Sequence, residues 1–171
     1  PDFLISGVLE SDATVTSVDG DPGSEATLAS YTIPLNTISR NLGDLAATSG
    51  KDFRKAGNTF RIWAAGRYTT DDATATVAIK LKIGSTTYHT LTSTGATIAN
   101  APWMVNWTVI VKTIGASGTA ESFAEANINN VNKDSASTST ITIDTTANQV
   151  ISLTATWTAG SAGDDISIRQ F

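Results

Sequence analysis

The stretch from Trp103 to Ile114, WMVNWTVIVKTI, decides the fold of this chain. Its odd-numbered positions down to Val111 hold only tryptophan and valine, whereas the positions between them mix Met104, Asn106, Thr108, Ile110 and Lys112. Side chains of an extended strand point alternately to its two faces, so a period of two sorts these sets onto opposite faces. We therefore predict a long strand in the middle of a sheet, with the tryptophan and valine face buried.

The same alternation recurs on both sides of this strand. It places Val77, Ile79, Leu81 and Ile83 of segment 75–84 inward, and Ile151, Leu153, Ala155 and Trp157 of segment 149–158 inward. Segment 59–69 is predicted to pair antiparallel with 75–84 through a turn at Asp71-Asp72. About eight strands with turn residues between them, and no helical period, indicate an all-β fold, either an antiparallel β-sandwich or a barrel.

Three segments of the chain lack a clear alternation of apolar and polar residues or are harder to assign. Residues 120–128 fit a strand better than a helical turn, and the polar residues 129–139 are expected to form a loop. Residues 40–57 have three glycines and no period, which is typical of a long functional or mobile loop. We divide the chain into an N-terminal arm or first strand, 1–24, and a sandwich domain, 25–171.

Composition excludes several classes of protein. The chain has no cysteine and a net charge of −5, so disulfides and thiolate metal sites are excluded and general nucleic-acid binding is disfavoured. No apolar run approaches the ~18 residues of a membrane span. The segment that begins at Pro1 does not resemble a signal peptide. We expect a protein made and used without export, with Pro1 exposed by removal of the initiator methionine.

The sequence offers little for catalysis. Its single histidine, His89, lies in a short threonine-rich strand, where a surface or interface role is expected rather than that of a catalytic base. One histidine cannot build a multi-histidine metal site, and the pairs Asp71-Asp72 and Asp164-Asp165 are expected to be solvated turn residues. We therefore expect no enzyme, no metal and no cofactor.

Candidate contact residues come from aromatic position and from charge. Trp107 and Trp157 are expected in the core, whereas Trp103, at the start of its strand, and Trp63, beside Arg61 and Arg67, are candidates for contact with a partner. The first 25 residues hold six acids and no base. Within them, the apolar residues Phe3, Leu4 and Ile5 belong either to a frayed first strand or to an arm that docks on another subunit.

The loop 40–57 leaves a second pair of alternatives open. Its basic residues are either scattered charges on a solvated loop or a contact patch for an acidic neighbour. The candidates for such a patch are Arg40, Lys51, Arg54 and Lys55.

Four blocks of sequence together resemble a family of jelly-roll virion proteins from tailed bacteriophages. They span the chain from about residue 25 to its end. The blocks are ASYTIP (29–34) with NTI (36–38), NTFRIWAAG (58–66), KTIGA (112–116), and LTATW (153–157) with DISIRQF (165–171). Relative to this family the loop 40–57 is an insertion. The resemblance refines the expected fold to a jelly-roll sandwich with a short N-terminal arm.

The resemblance also implies a function without catalytic residues. Proteins of this kind are capsid decoration (cement) proteins or knobs of head or tail fibres, commonly trimers. We expect a structural virion protein that decorates and stabilises a capsid, is assembled in the host cytoplasm, and contacts the major capsid protein and copies of itself as a homotrimer. The alternative is a receptor-binding fibre knob with a glycan as ligand, and a carbohydrate-binding module is a third class. No nucleic acid or membrane partner is expected.

Overall fold

The computed structural model describes residues 16–20, 23–33, 59–136 and 140–171. These residues form eleven strands and no helix. The strands, in chain order, are β1 Thr16–Asp19, β2 Glu25–Ile33, β3 Thr59–Thr70, β4 Thr76–Ile83, β5 Thr86–Thr92, β6 Ile98–Thr113, β7 Gly118–Ile128, β8 Val131–Ala136, β9 Ile141–Ile143, β10 Gln149–Thr158 and β11 Asp165–Gln170.

The strands build two sheets in which every pair is antiparallel. The large sheet has seven strands in the order β1-β11-β3-β6-β7-β8, with β9 also paired to β7, and the small sheet has the order β2-β10-β4-β5. The prediction of an all-β protein with two antiparallel sheets is therefore confirmed. There are more strands than the eight or so expected, and one of them, β8, lies in the segment that was predicted to be loop.

Eight of the strands pair in a nested order. β1 pairs with β11, β2 with β10, β3 with β6, and β4 with β5, as in one long hairpin. Two further pairings, β11 with β3 and β10 with β4, fold this long hairpin into the two sheets. The extra strands β7 to β9 are inserted between β6 and β10.

The large sheet curls around the small one. Its edge strand β1 contacts β2, and β8 at the other side contacts β5, so both margins of the large sheet approach the margins of the small sheet. This curvature, a half-barrel, encloses the core between the sheets. It also makes the opposite, solvent-facing side of the large sheet convex, which we call the outer face.

The long central strand is confirmed as the core element of the large sheet. On β6, Trp103 and Trp107 are 2% and 1% exposed, and the valines between and after them are buried as well. From the small sheet, β10 contributes Leu153 and Trp157 to the same core. Full burial of a large side chain contributes roughly 1.5–3 kcal/mol, so each of these residues stabilises the fold substantially.

A glycine opens the space that Trp103 fills. A Cβ atom at Gly66 on β3 would lie 1.9 Å from the Ser167 carbonyl oxygen and 2.8 Å from the Trp103 ring. The indole N–H of Trp103 donates to that same Ser167 oxygen at 3.2 Å. The tryptophan ring therefore packs against Gly66 and reaches the backbone of β11, and only glycine fits at position 66.

The predicted pairing of 59–69 with 75–84 is wrong. β3 belongs to the large sheet and β4 to the small one, so the turn at Asp71-Asp72 is a crossover between sheets rather than a hairpin. The loop between β10 and β11 crosses in the same way. Alternation fixes which face of a strand is buried, but two facing sheets bury the same kind of face, so it does not identify the partner strand.

Asp164 joins these two crossovers, which corrects its expected role as a solvated turn residue. It is 1% exposed. Its carboxylate accepts hydrogen bonds from the backbone N–H groups of Asp71 at 2.8 Å and Ser161 at 2.7 Å. Its carbonyl accepts one from the Gly20 N–H at 2.8 Å, which adds the end of β1. A carboxylate is buried here because backbone donors from separate turns satisfy it.

The region 129–139 corrects a further prediction. Residues 118–128 form β7, as expected for the strand there, but Val131–Ala136 is β8 rather than loop. Asn129 and Asn130 have φ of 51° and 62°, the left-handed conformation that a tight two-residue hairpin requires and that asparagine tolerates. Within segment 1–24, β1 pairs with β11 and so belongs to the large sheet.

Candidate functional site

The outer face of the large sheet presents rows of side chains from β3, β6 and β7. Trp63, Asn106 and Glu125 form one row in register, and Arg61, Thr108 and Phe123 form the next. Ala65, Met104 and Asn127 form the row on the other side of Trp63. Side chains at matched positions of neighbouring strands lie about 4.5–5.5 Å apart at Cβ, so these rows make one continuous surface.

Three large apolar side chains stand on this surface. Trp63 is 39% exposed, Met104 45% and Phe123 47%. Single exposed apolar residues are ordinary in soluble proteins, but these three come from adjacent rows of three adjacent strands. Aromatic residues and methionine are also the types enriched where proteins meet. The outer face is therefore the strongest candidate for a contact surface in the described part of the chain.

Charge divides the outer face into two flanks on either side of β6. The β3 flank carries the exposed side chain of Arg61, and Arg67 follows it along the strand, donating to the Asn100 carbonyl at 2.9 Å. The β7 flank carries Glu121 and Glu125, and Asp134 of β8 continues it. Glu121 pairs with Lys112 at 3.3 Å, whereas Glu125 is exposed. One flank is basic and the other acidic.

The structure places two of the predicted contact residues. Trp63 lies on the outer face, beside Arg61 as the sequence indicated. The prediction that Trp103 contacts a partner is corrected, because its side chain is buried against Gly66 and β11 and presents no surface. The other candidates lie outside the described residues: Phe3, Leu4, Ile5, Arg40, Lys51, Arg54 and Lys55.

Met104, Phe123 and Glu125 were missed as candidate contact residues, although the sequence contains a signal for them. Met104 is the outward position directly after Trp103 in the alternation of residues 103–111. In β7 the inward positions are small or apolar, while Phe123 stands between two glutamates on the outward side. A phenylalanine in the polar phase of an amphipathic strand is such a signal.

The structure also corrects the predicted surface or interface role of His89. His89 is 2% exposed, so it is a buried residue rather than a surface or interface one. Its Nδ1 is hydrogen-bonded to Ser135 Oγ at 2.9 Å, and its Nε2 to the hydroxyl of Ser122. Ser122 Oγ also accepts the indole N–H of Trp107 at 2.6 Å. This buried polar cluster joins β5 of the small sheet to β6, β7 and β8 of the large sheet.

The contact between Ser122 and His89 matches the nucleophile and base of a hydrolase in residue type only. Ser122 is 0% exposed and its hydroxyl accepts the indole N–H of Trp107, so no substrate reaches this hydroxyl. Burial lowers the pKa of His89, which keeps the imidazole neutral at physiological pH. The arrangement satisfies buried polar groups between the two sheets, and its effect is on stability and sheet alignment.

A cleft at one end of the sandwich is a weaker candidate for a functional site than the outer face. It has a volume of about 260 Å³ and lies between the β4–β5 turn and the β9–β10 loop, with Thr86, Asp144 and Gln149 in its wall. Across residues 16–20, 23–33, 59–136 and 140–171, no group of three or more histidine, aspartate or glutamate side chains is placed to hold a metal ion. No helix in those ranges is long and apolar enough to cross a membrane.

Comparisons of the chain with protein-family models, with curated proteins and with solved structures found no match.

Proposed function

We propose that this chain is a structural virion protein that decorates and stabilises the capsid of a tailed bacteriophage. The observation that carries the proposal is the position of the four resembling blocks in the fold. Their described residues fall on β2, on β3, at the end of β6 with the turn that follows it, and on β10 with β11, while residues 34, 36–38 and 58 lie outside the described residues. These strands belong to the nested set, so most of the described part of the resemblance lies along the framework of the sandwich.

The strand order supports a jelly roll as the finer description of this sandwich. A jelly roll is a long antiparallel hairpin of eight strands rolled into two sheets. The nested pairs β1 with β11, β2 with β10, β3 with β6, and β4 with β5 have that order when the insertion of β7 to β9 is set aside. A jelly roll is used for many functions, so the fold alone gives no function and the resemblance supplies that step.

The outer face supports a role in assembly. A decoration protein has to bind a shell and its own copies through exposed surfaces, and the exposed apolar side chains between charged flanks suit such contacts. The expected partners are the major capsid protein and copies of this chain, in a homotrimer on the capsid surface. Under this proposal residues 1–10 and 40–57 bind the shell, with Phe3, Leu4 and Ile5 as apolar anchors and the basic side chains fixing the register.

The test is addition of purified protein to undecorated capsids. Deletion of residues 1–9 should leave the melting temperature nearly unchanged and abolish co-sedimentation with capsids. Arg54→Gln with Lys55→Gln should weaken binding more at low salt than at high salt, because screening already reduces charge attraction. Thr90→Gln, an exposed change on the small sheet, is the control.

One outcome would contradict the assigned shell contact, and another would contradict the proposed function itself. If the truncated protein decorates capsids as well as the parent, the N-terminal segment is only a first strand. If the parent binds no capsid but binds host-surface glycans on an array, the receptor-binding knob replaces the decoration protein.

A further inference from the structure

The charges on the outer face are complementary to each other. The basic residue Arg61 projects from β3 and the acidic residue Glu125 projects from β7, with one strand between them. Each flank also carries one exposed aromatic side chain, Trp63 on the basic flank and Phe123 on the acidic flank. A surface whose two halves have opposite charge and similar apolar content fits a second copy of itself, because each half finds its complement on the other copy.

The curvature of the sheet decides how two such surfaces meet. Because the large sheet wraps around the small one, its outer face is convex with β6 along the crest. Two convex faces placed crest to crest touch along one line and leave their flanks apart. Side-by-side packing instead brings the β3 flank of one copy against the β7 flank of the next.

We propose that copies of this chain associate through these flanks, Arg61 and Trp63 of one copy packing against Phe123 and Glu125 of its neighbour. The contact joins two different patches, so it is heterologous, and it forms a ring when its rotation closes. Since a two-fold contact is isologous, the smallest ring of this kind has three copies. The number of copies rests on the homotrimer of the proposed function, and what is new is the pair of flanks through which the copies meet.

The register shows which side chains meet. In a ring whose axis runs along β6, side chains of one row stay at one height in every copy. Arg61 then reaches the neighbour's Phe123, whose ring face attracts a guanidinium. The neighbour's Glu125 is the next outward residue along β7, about 6.8 Å further on, within the span of an arginine and a glutamate side chain. Trp63 covers the stem of the same glutamate.

The pattern of pairing within one copy agrees with this contact. Glu121 already pairs with Lys112, so Glu125 is the glutamate of the acidic flank that has no ion-pair partner among the described residues. On the other flank β11 ends its pairing at Ala65, so no described strand lies beside Trp63 on its outer side. An exposed glutamate and an exposed tryptophan therefore lie on opposite flanks.

The experiment uses the purified chain and measures its mass by analytical ultracentrifugation over a range of concentrations. We expect the parent to sediment as a trimer at tens of micromolar. Trp63→Ser should raise the dissociation constant about tenfold or more, as loss of a central aromatic contact does. The matched control is Val150→Ser on the small sheet, because Val150 is 40% exposed and Trp63 39%, and this variant should associate like the parent.

Charge exchange tests the pairing of the flanks. Arg61→Glu and Glu125→Arg should each weaken association, and the double variant should return most of the lost affinity, since the pair is then restored with reversed signs. Thr90→Glu, which adds a charge to the opposite sheet, should have no effect. A trimer whose mass is unchanged in Arg61→Glu and Trp63→Ser, or a double variant no better than either single variant, would overturn this interface alone. A monomeric parent would overturn both the interface and the homotrimer of the proposed function, whereas binding to capsids is tested separately.

Discussion

Trp107 donates its indole N–H to the hydroxyl of Ser122 at 2.6 Å, and the same hydroxyl is hydrogen-bonded to Nε2 of His89. Trp107 and Ser122 lie on neighbouring strands of the large sheet, whereas His89 lies on the edge strand of the small one. One serine therefore connects the two sheets at the side where β5 meets β7 and β8.

Replacing Trp107 should destabilise the protein strongly. Trp107→Ala leaves a cavity and deprives Ser122 of its donor, so the free energy of unfolding should fall by roughly 3–5 kcal/mol. Trp107→Phe keeps most of the ring volume and should lose less. Urea denaturation followed by circular dichroism measures both. A Trp107→Ala protein that melts within a degree or two of the parent would contradict the assigned core position.

His89 should make stability depend on pH. Burial lowers its folded-state pKa below the ordinary 6.5, so the unfolded chain binds the proton more readily than the folded one. Its contribution to stability is complete above pH 6.5 and is lost as the pH falls below that value. His89→Gln keeps a polar side chain near both serine hydroxyls and should lack this decline. The check is the difference between the two unfolding free energies at pH 7 and pH 5.

Tyr88 should tolerate loss of its hydroxyl. Burial raises its pKa to about 12, and its hydroxyl has no hydrogen-bond partner among the described residues. The ring itself packs edge-on against Trp107, with centroids 5.7 Å apart. Tyr88→Phe keeps the ring contact and removes an unsatisfied polar atom, so stability should be unchanged or rise by about 1 kcal/mol. A clear loss, with Tyr31→Phe as the control, would show that the hydroxyl is bonded.

Glu25 should stabilise the small sheet in an acid-sensitive way. Its carboxylate contacts Lys80 at 2.6 Å and Lys82 at 2.5 Å, and accepts a hydrogen bond from Thr154 at 3.0 Å. The hydrogen bonds from the two lysines lower its pKa from 4.5 to about 2. Since the folded value lies below the unfolded one, the contribution is full above pH 4.5 and is lost as the pH falls towards 2.

The solvent exposure of the Glu25 side chain limits how much its ion pairs contribute to stability. The glutamate side chain is 30% exposed, so solvent screens the pairs, and Glu25→Gln should cost only about 1 kcal/mol at neutral pH. Thermal unfolding at pH 7 and pH 3 tests it. The difference between parent and variant should shrink at the lower pH, and a difference that grows instead would contradict the assigned ion pairs.

What the sequence determined by itself is the class of the fold and the phase of its strands. Alternation in 103–111 identified the buried face of β6, because the period of two is a property of the extended backbone alone. In 149–158 it identified the apolar face of β10, but Ser152 and Thr154 on the other face are buried as well. The absence of cysteine excludes thiolate chemistry whatever the arrangement of the strands. The turn at Asn129-Asn130 was also readable from residue preference, although the prediction treated it as loop.

Only the tertiary structure decided which strands pair and which polar groups meet. The separation of β3 from β4 depends on the crossover that buried Asp164 holds together, and alternation within a strand carries no information about its partner. The environment of His89 depends on Ser122 and Ser135, which are distant in sequence and come from the other sheet. The placement of Arg61 and Glu125 on opposite sides of β6 likewise follows from sheet order, because the strands that lie side by side are fixed only when the sheet forms.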